Sequence, residues 1–155
     1  MDDAGRRHPP HFPAVERHNV SIIIFVTVCT KHRKPILATD SAHGLLRNAW
    51  ATRPSWLVGR YVIMPNHIHL FCAPAVLPAQ PLTKWIAFWK SQVARNWTCP
   101  GELPLWQRHF WDTQLRRGET YDEKWQYVLE NPVRAGFVKQ SQDWSYQGEL
   151  NTLMW

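Results

Sequence analysis

The 155-residue chain contains only three cysteines, Cys29, Cys72 and Cys99, an odd number at wide spacing. That excludes a disulfide framework and suits no zinc ribbon, so reduced thiols packed in a core are expected. No run approaches the roughly 18 apolar residues needed to cross a bilayer. Nor does an apolar stretch follow the polar start Met1-Asp2-Asp3-Ala4-Gly5-Arg6-Arg7 in the manner of a secretion signal. A cytoplasmic protein without a membrane partner is expected. No glycine-rich, phosphate-cradling loop is present, so nothing suggests that a nucleotide supplies energy.

Charge is present in excess of one sign, with 18 Lys and Arg against 12 Asp and Glu, a formal +6 at neutral pH. Such a balance is compatible with a polyanionic partner and does not by itself demand one. The ten tryptophans are a second excess. Aromatic rings among cations suit the open faces of unpaired bases, and the competing use is core packing. Residues 1–18 hold Arg6, Arg7, His8, His11, Arg17 and His18 among prolines, a composition that builds no core. The expected organisation is therefore a basic arm over 1–18 and one domain over 19–155, long enough to bury about two-thirds of its unfolded surface.

Val20 to Thr30 is dense in β-branched residues and reads as a central strand buried on both faces, ending at the cationic loop Lys31-His32-Arg33-Lys34-Pro35. Thr39 or Asp40 can cap a helix whose apolar positions Ala42, Leu45, Leu46 and Ala49 follow helical spacing. Trp56 to Met64 and His67 to Ala73, joined by Pro65-Asn66, read as an antiparallel hairpin. Leu82, Ile86, Trp89, Val93 and Trp97 give a second amphipathic helix whose other side carries Lys84, Lys90 and Arg95. Leu105 to Trp111 reads as a further strand. Thr120 with Glu123 is a capping-box signature for a helix running to Asn131, where Pro132 forbids simple continuation.

Two patterns on these elements bear chemistry. Strand side chains alternate between faces, so His67 and His69 point one way while Ile68 and Leu70 point the other. Two neutral imidazoles one strand repeat apart can share a divalent metal, although such a pair also occurs on plain solvated sheet faces. On the last helix Tyr127 and Asn131, four residues apart, sit one turn above the other. Taken alone, they fit an amphipathic Tyr at a core rim and an Asn stopping the helix. Taken with the histidines, they make a phosphoryl-transfer set of metal ligands and a phenol nucleophile.

Three blocks carry a family resemblance: Tyr61-Val62-Ile63-Met64-Pro65-Asn66-His67-Ile68-His69-Leu70, Leu105-Trp106-Gln107-Arg108, and Tyr127-Val128-Leu129-Glu130-Asn131-Pro132-Val133-Arg134-Ala135-Gly136-Phe137-Val138. They are similar to signatures of the REP-associated tyrosine transposases, which group with the single-tyrosine HUH transposases of bacterial insertion sequences. The resemblance runs in order from about Phe25 to Tyr146. It implies an α+β fold, a ferredoxin-like βαββαβ antiparallel sheet with two helices on one face. A C-terminal tyrosine-bearing helix would then lie over the His-x-His face. It further implies His67 and His69 as metal ligands, Tyr127 as nucleophile and Asn131 as third ligand. Mobile single-tyrosine enzymes carry a glutamine at that last position; asparagine is one methylene shorter, so the helix must approach the sheet more closely.

The activity implied is cleavage and rejoining of single-stranded DNA beside repeated palindromes that fold into hairpins, through a 5′-phosphotyrosine link. Mg²⁺ or Mn²⁺ is the expected metal, given nitrogen and oxygen ligands and no thiolate spacing. Arg6, Arg7, Lys31, Arg33, Lys34, Lys90, Arg108, Arg116, Arg117 and Arg134 are the cations expected to hold DNA. A nucleoid-associated monomer is expected, with a dimer exchanging the tyrosine helix as the alternative. Two other classes compete: a ferredoxin-like nucleic-acid binder without catalysis, and a metal-dependent hydrolase of small phosphoesters.

Overall fold

A computed structural model describes residues 22–52, 55–116 and 120–154. In chain order the elements are β1 (Ile24–Thr30), α1 (Asp40–Ala51), β2 (Trp56–Met64), β3 (His67–Pro74), α2 (Leu82–Arg95), β4 (Trp106–Gln114), α3 (Tyr121–Leu129), α4 (Asn131–Arg134) and β5 (Gln147–Glu149). The strands form an antiparallel sheet in the order β4-β1-β3-β2-β5. The first six of these elements give the βαββαβ order and ferredoxin-like sheet expected from the sequence, and β5 extends the sheet beyond β2. Among the described residues no helix is long and apolar enough to cross a membrane.

Alternation along the strands sorts the core into two layers. Ile24, Val26 and Val28 of β1 and Ile68, Leu70 and Cys72 of β3 face α1 and α2, where they pack with Leu46, Trp50, Trp85, Ile86, Trp89 and Val93. Edge-to-face aromatic contacts, Trp50 to Trp89 at 5.8 Å and Trp89 to Trp106 at 5.7 Å, fill that layer. Thr39 starts α1, its hydroxyl accepting from the Ala42 amide at 3.0 Å, which satisfies one of the first-turn N–H groups. None of the tryptophans among the described residues stands exposed. Trp50, Trp56, Trp85 and Trp89 are buried in the core, the packing use weighed against base stacking, while Trp97, Trp106, Trp111, Trp125 and Trp144 are half-buried.

The opposite layer is thinner. Ile23, Val62, Met64, Phe71, Leu115, Tyr121, Val128 and Leu153 form it, with α3 laid across. Thr120 caps α3 through a 3.0 Å bond from the Glu123 amide. Tyr121 anchors the helix: its ring lies 4.9 Å from Phe71 and its hydroxyl accepts the Arg60 amide at 2.8 Å. Gly59 makes that approach feasible, since a Cβ there would meet Tyr121 Oη at 2.5 Å and Leu153 at 2.6 Å.

Several expectations are adjusted. Val20 and Ser21 of the first expected strand, like the arm over 1–18, lie outside the described residues. β4 continues to Gln114, beyond Trp111, because it pairs along β1 as far as Ile24. The last helix does not run to Asn131. α3 ends at Leu129, and Asn131 opens the short α4 with Pro132 in its first turn, where a missing N–H costs nothing. Cys29 and Cys72 are buried as expected, whereas Cys99 is exposed beside a 3-10 turn. Lys90 does not lie on a wet helix face. It is 9% exposed, and its ammonium donates to the Gln107 carbonyl at 2.7 Å; burial lowers its pKa to about 8.

Candidate active site

The hairpin places His67 and His69 on the α3 side of the sheet, ring centroids 4.7 Å apart and planes at 75°. Each ring is oriented through Nδ1. Asn66 of the turn accepts from His67 through its amide oxygen at 2.7 Å. An amide oxygen cannot donate, so Nδ1 of His67 bears the proton and Nε2 keeps its lone pair. His69 Nδ1 lies 2.9 Å from the Thr27 hydroxyl, its partner directly across β1. Phe25, two residues along the same strand face, stacks on His69 at 5.3 Å. Thr27, Asn66 and Phe25 were not singled out from the sequence. Only the cross-strand register reveals Thr27 and Phe25, while Asn66 was legible as a neighbour of His67 in the turn.

Electrostatics keep both rings neutral. Burial first, then the Arg33 charge, lowers the His67 pKa to about 4. Burial first, then His67, Lys124, Arg134 and Arg33, lowers that of His69 to about 3. At neutral pH the pair therefore offers lone pairs rather than protons.

Tyr127 is 65% exposed on α3. Arg134 fixes its surroundings: the guanidinium carbon lies 4.2 Å from the Tyr127 ring centroid, and Nη2 donates to the Tyr127 carbonyl at 2.7 Å and to Asn131 Oδ1 at 2.5 Å. The structure thus brings Tyr127, Asn131 and Arg134 together and pairs His67 with His69, with Arg134 close enough to act on His69 electrostatically. Among the described residues no hydrogen bond or ring contact joins the two groups. Nor do three His, Cys, Asp or Glu side chains gather to hold a metal. The donor chemistry of the histidine pair nevertheless fits a divalent ion, because Nδ1 of each ring is engaged and Nε2 has no hydrogen-bond partner among the described residues. Asn131 fits less well, since its oxygen already serves a cation.

Tyr121, the other phenol on α3, is unsuited to attack. It is buried, and burial pushes its pKa up to about 12.

The expected DNA-holding cations divide by their partners. Arg33 and His32 occupy left-handed conformations at φ 55° and 56°, which non-glycine residues rarely adopt. The turn directs Arg33 Nη1 to Cys29 Sγ at 2.9 Å, beside the His67 partner position. Lys34 donates to the carbonyls of Glu102 and Pro104 at 2.5 and 3.2 Å, which ties two loops together. Lys31 is half-buried, Arg108 and Arg116 are exposed, and Arg108 lines a cavity of about 330 Å³ between α2 and β4 with Lys90 and His109. Arg6, Arg7 and Arg117 lie outside the described residues.

Fold and site together define a ferredoxin-like protein with a paired-histidine strand beneath a tyrosine-bearing helix. No family model matches the chain. Over 127 residues it is 27% identical to the REP-associated tyrosine transposase of Escherichia coli strain K12, covering 79% of this chain and 73% of that protein. A Haemophilus influenzae protein provisionally assigned to the same family is 31% identical over 97 residues, 54% of this chain and 53% of the relative. Among solved structures, a REP-associated tyrosine transposase bound to a REP hairpin superposes with a TM-score of 0.65 at 24% identity, over 86% of this chain and 80% of the other. A provisionally assigned Deinococcus radiodurans transposase superposes at 0.53 and 21% identity, over 74% and 94%. In sequence the chain is similar to REP-associated tyrosine transposases, and it shares the fold of one of them.

Proposed function

We propose that the chain cleaves and rejoins single-stranded DNA beside hairpin-forming palindromes, acting as a monomer with Tyr127 as nucleophile. The observation that supports this best is the pairing of two neutral imidazoles on one strand face with an exposed tyrosine on the helix laid across that face. The relatives' transposase identity, and the REP hairpin held by one of them, supply the substrate class.

In the proposed step Tyr127 Oη attacks the scissile phosphorus in line. The phosphorus–Oη bond forms, the bond to the 3′-oxygen breaks, the phenol proton leaves to solvent and the 3′-oxygen takes one up. One phosphodiester replaces another, so the reverse attack by a 3′-hydroxyl rejoins the strand with no external energy source. Arg134, stacked on the ring and bonded to the Tyr127 carbonyl, restricts where the phenol points. Asn66 and Thr27 hold the imidazoles in register. A Mg²⁺ or Mn²⁺ ion held by His67 and His69 would polarise a non-bridging phosphate oxygen. Asn131 would join those ligands through its amide oxygen, which here accepts from Arg134.

The test uses labelled single-stranded oligonucleotides spanning palindromic repeats that neighbour the gene, run on denaturing gels. A DNA–protein adduct with the wild type and none with Tyr127→Phe is expected. The engagement of the Asn131 amide oxygen by Arg134 favours one rival, a hairpin binder without catalysis. That rival predicts retention on native gels with no adduct under any metal.

A further inference from the structure

Lys124 was not among the cations singled out from the sequence, yet α3 aims it at the histidine pair. Its ammonium lies 5.1 Å from the Phe25 ring centroid, and the same ring stacks on His69 at 5.3 Å. Lys124 also precedes Tyr127 by three residues, which on a helix makes the two side chains neighbours on one face. The cation and the candidate nucleophile thus share a helix surface, and the cation and the candidate metal ligand His69 both contact the Phe25 ring.

The other cations near the pair are already engaged. Arg33 donates to Cys29 Sγ, and Arg134 donates to Tyr127 O and Asn131 Oδ1. Lys124 has no hydrogen bond or ion pair from its ammonium among the described residues. Asp122 and Glu123 are its neighbours on α3, yet Asp122 pairs with Arg60 at 2.6 Å instead. Lys124, Arg134 and Arg33 all stand close enough to His69 to act on it electrostatically, and such a gathering of cations suits an arriving anion. An ammonium with three free donors is suited to that anion.

On the proposed function we build one further assignment: we propose that Lys124 contacts a non-bridging oxygen of the scissile phosphate, holding it between the histidine pair and Tyr127. It then stabilises the charge that develops as the Tyr127 Oη bond forms. The Phe25 contact orients the empty ammonium and is exchanged for phosphate when DNA enters. Lys124 is in this reading a catalytic residue rather than one more backbone-tracking cation.

The experiment compares wild type with Lys124→Gln, Lys124→Met and Lys124→Arg in the full chain, using the palindrome oligonucleotides above. At saturating DNA, Lys124→Gln and Lys124→Met should slow adduct formation on the order of 100-fold, the usual cost of removing one preorganised donor. Lys124→Arg should recover part of the rate. Methionine keeps the packing on Phe25, so a loss of rate that follows a loss of thermal midpoint, and spares Lys124→Met, would overturn the assignment as merely structural. A normal saturating rate with only a shallower salt dependence of binding would overturn it as peripheral. A second readout needs no turnover. With Tyr127→Phe keeping the DNA intact, Lys124 should be protected from amine acylation by hairpins that carry the flanking strand and not by hairpins lacking it. Equal acylation in both complexes would contradict the contact. If the wild type forms no adduct and binds no hairpin, the proposed function falls and takes this assignment with it; a wild-type adduct formed equally fast by Lys124→Gln removes this assignment alone.

Discussion

The odd residues His67, His69 and Phe71 and the even residues Ile68, Leu70 and Cys72 come from one strand, yet the even set lies beneath two helices and the odd set beneath one. Ile68, Leu70 and Cys72 are wholly buried; the two histidines are half-buried and keep Nε2 free. The contrast shows how a small domain separates stability from chemistry. The α1–α2 face supplies the packed core, and the α3 face is thinner, with imidazoles desolvated enough to remain neutral.

The largest effects come from exchanging what each face does. Leu70→Ala should cost about 2–5 kcal/mol by cavity formation, read as a lower urea midpoint. His67→Ala with His69→Ala should leave that midpoint nearly unchanged and reduce adduct formation by about 100-fold or more. A double histidine variant that unfolds like Leu70→Ala would erase the distinction between the faces.

Gly59→Ala probes how the thin face is assembled. Its Cβ would collide with Tyr121 Oη and Leu153, so α3 must lift. A loss of about 1–3 kcal/mol together with slower adduct formation is expected. Unchanged activity would mean that the docking of α3 does not govern where Tyr127 stands. Tyr121→Phe is milder, removing one hydrogen bond to the Arg60 amide, worth about 1 kcal/mol. It should leave adduct formation intact, because a buried phenol held near 12 is not the nucleophile.

The hairpin, both amphipathic helices and the two caps were legible because each rests on local chemistry: alternation, 3.6-residue spacing, and a hydroxyl before a first turn. The histidine pair was legible for the same reason, since strand alternation alone puts His67 and His69 on one face. What the sequence hid depends on register and depth. Thr27 reaches His69 only through the β1–β3 pairing. Lys90 reads as surface until Gln107 is brought over it by β4. Lys124 looks like any helix lysine until Phe25 arrives beneath it. The break between α3 and α4 was signalled by Pro132, but the engagement of Asn131 by Arg134 required the structure.

The last comparison is in pH. Unfolded imidazoles titrate near 6.5, while the folded pair titrates at about 4 and about 3. Between those values the unfolded chain binds more protons, so stability is fully present above about pH 6.5 and is lost as pH falls through the window. Mn²⁺ affinity should correspondingly stay nearly flat from pH 7 to about 5, whereas free imidazoles would lose it as they protonate. A steep decline beginning near 6.5 would show that the α3 face is wetter than its packing implies.

The most direct measurement of the central claim is the identity of the residue that becomes joined to DNA. A wild-type adduct formed on a palindrome oligonucleotide, digested with protease and nuclease and sequenced by mass spectrometry, should place a nucleotide 5′-phosphate on Tyr127 alone. Attachment at Tyr121, Tyr146 or any serine, or a cleaved strand with no nucleotide on the protein, would contradict it.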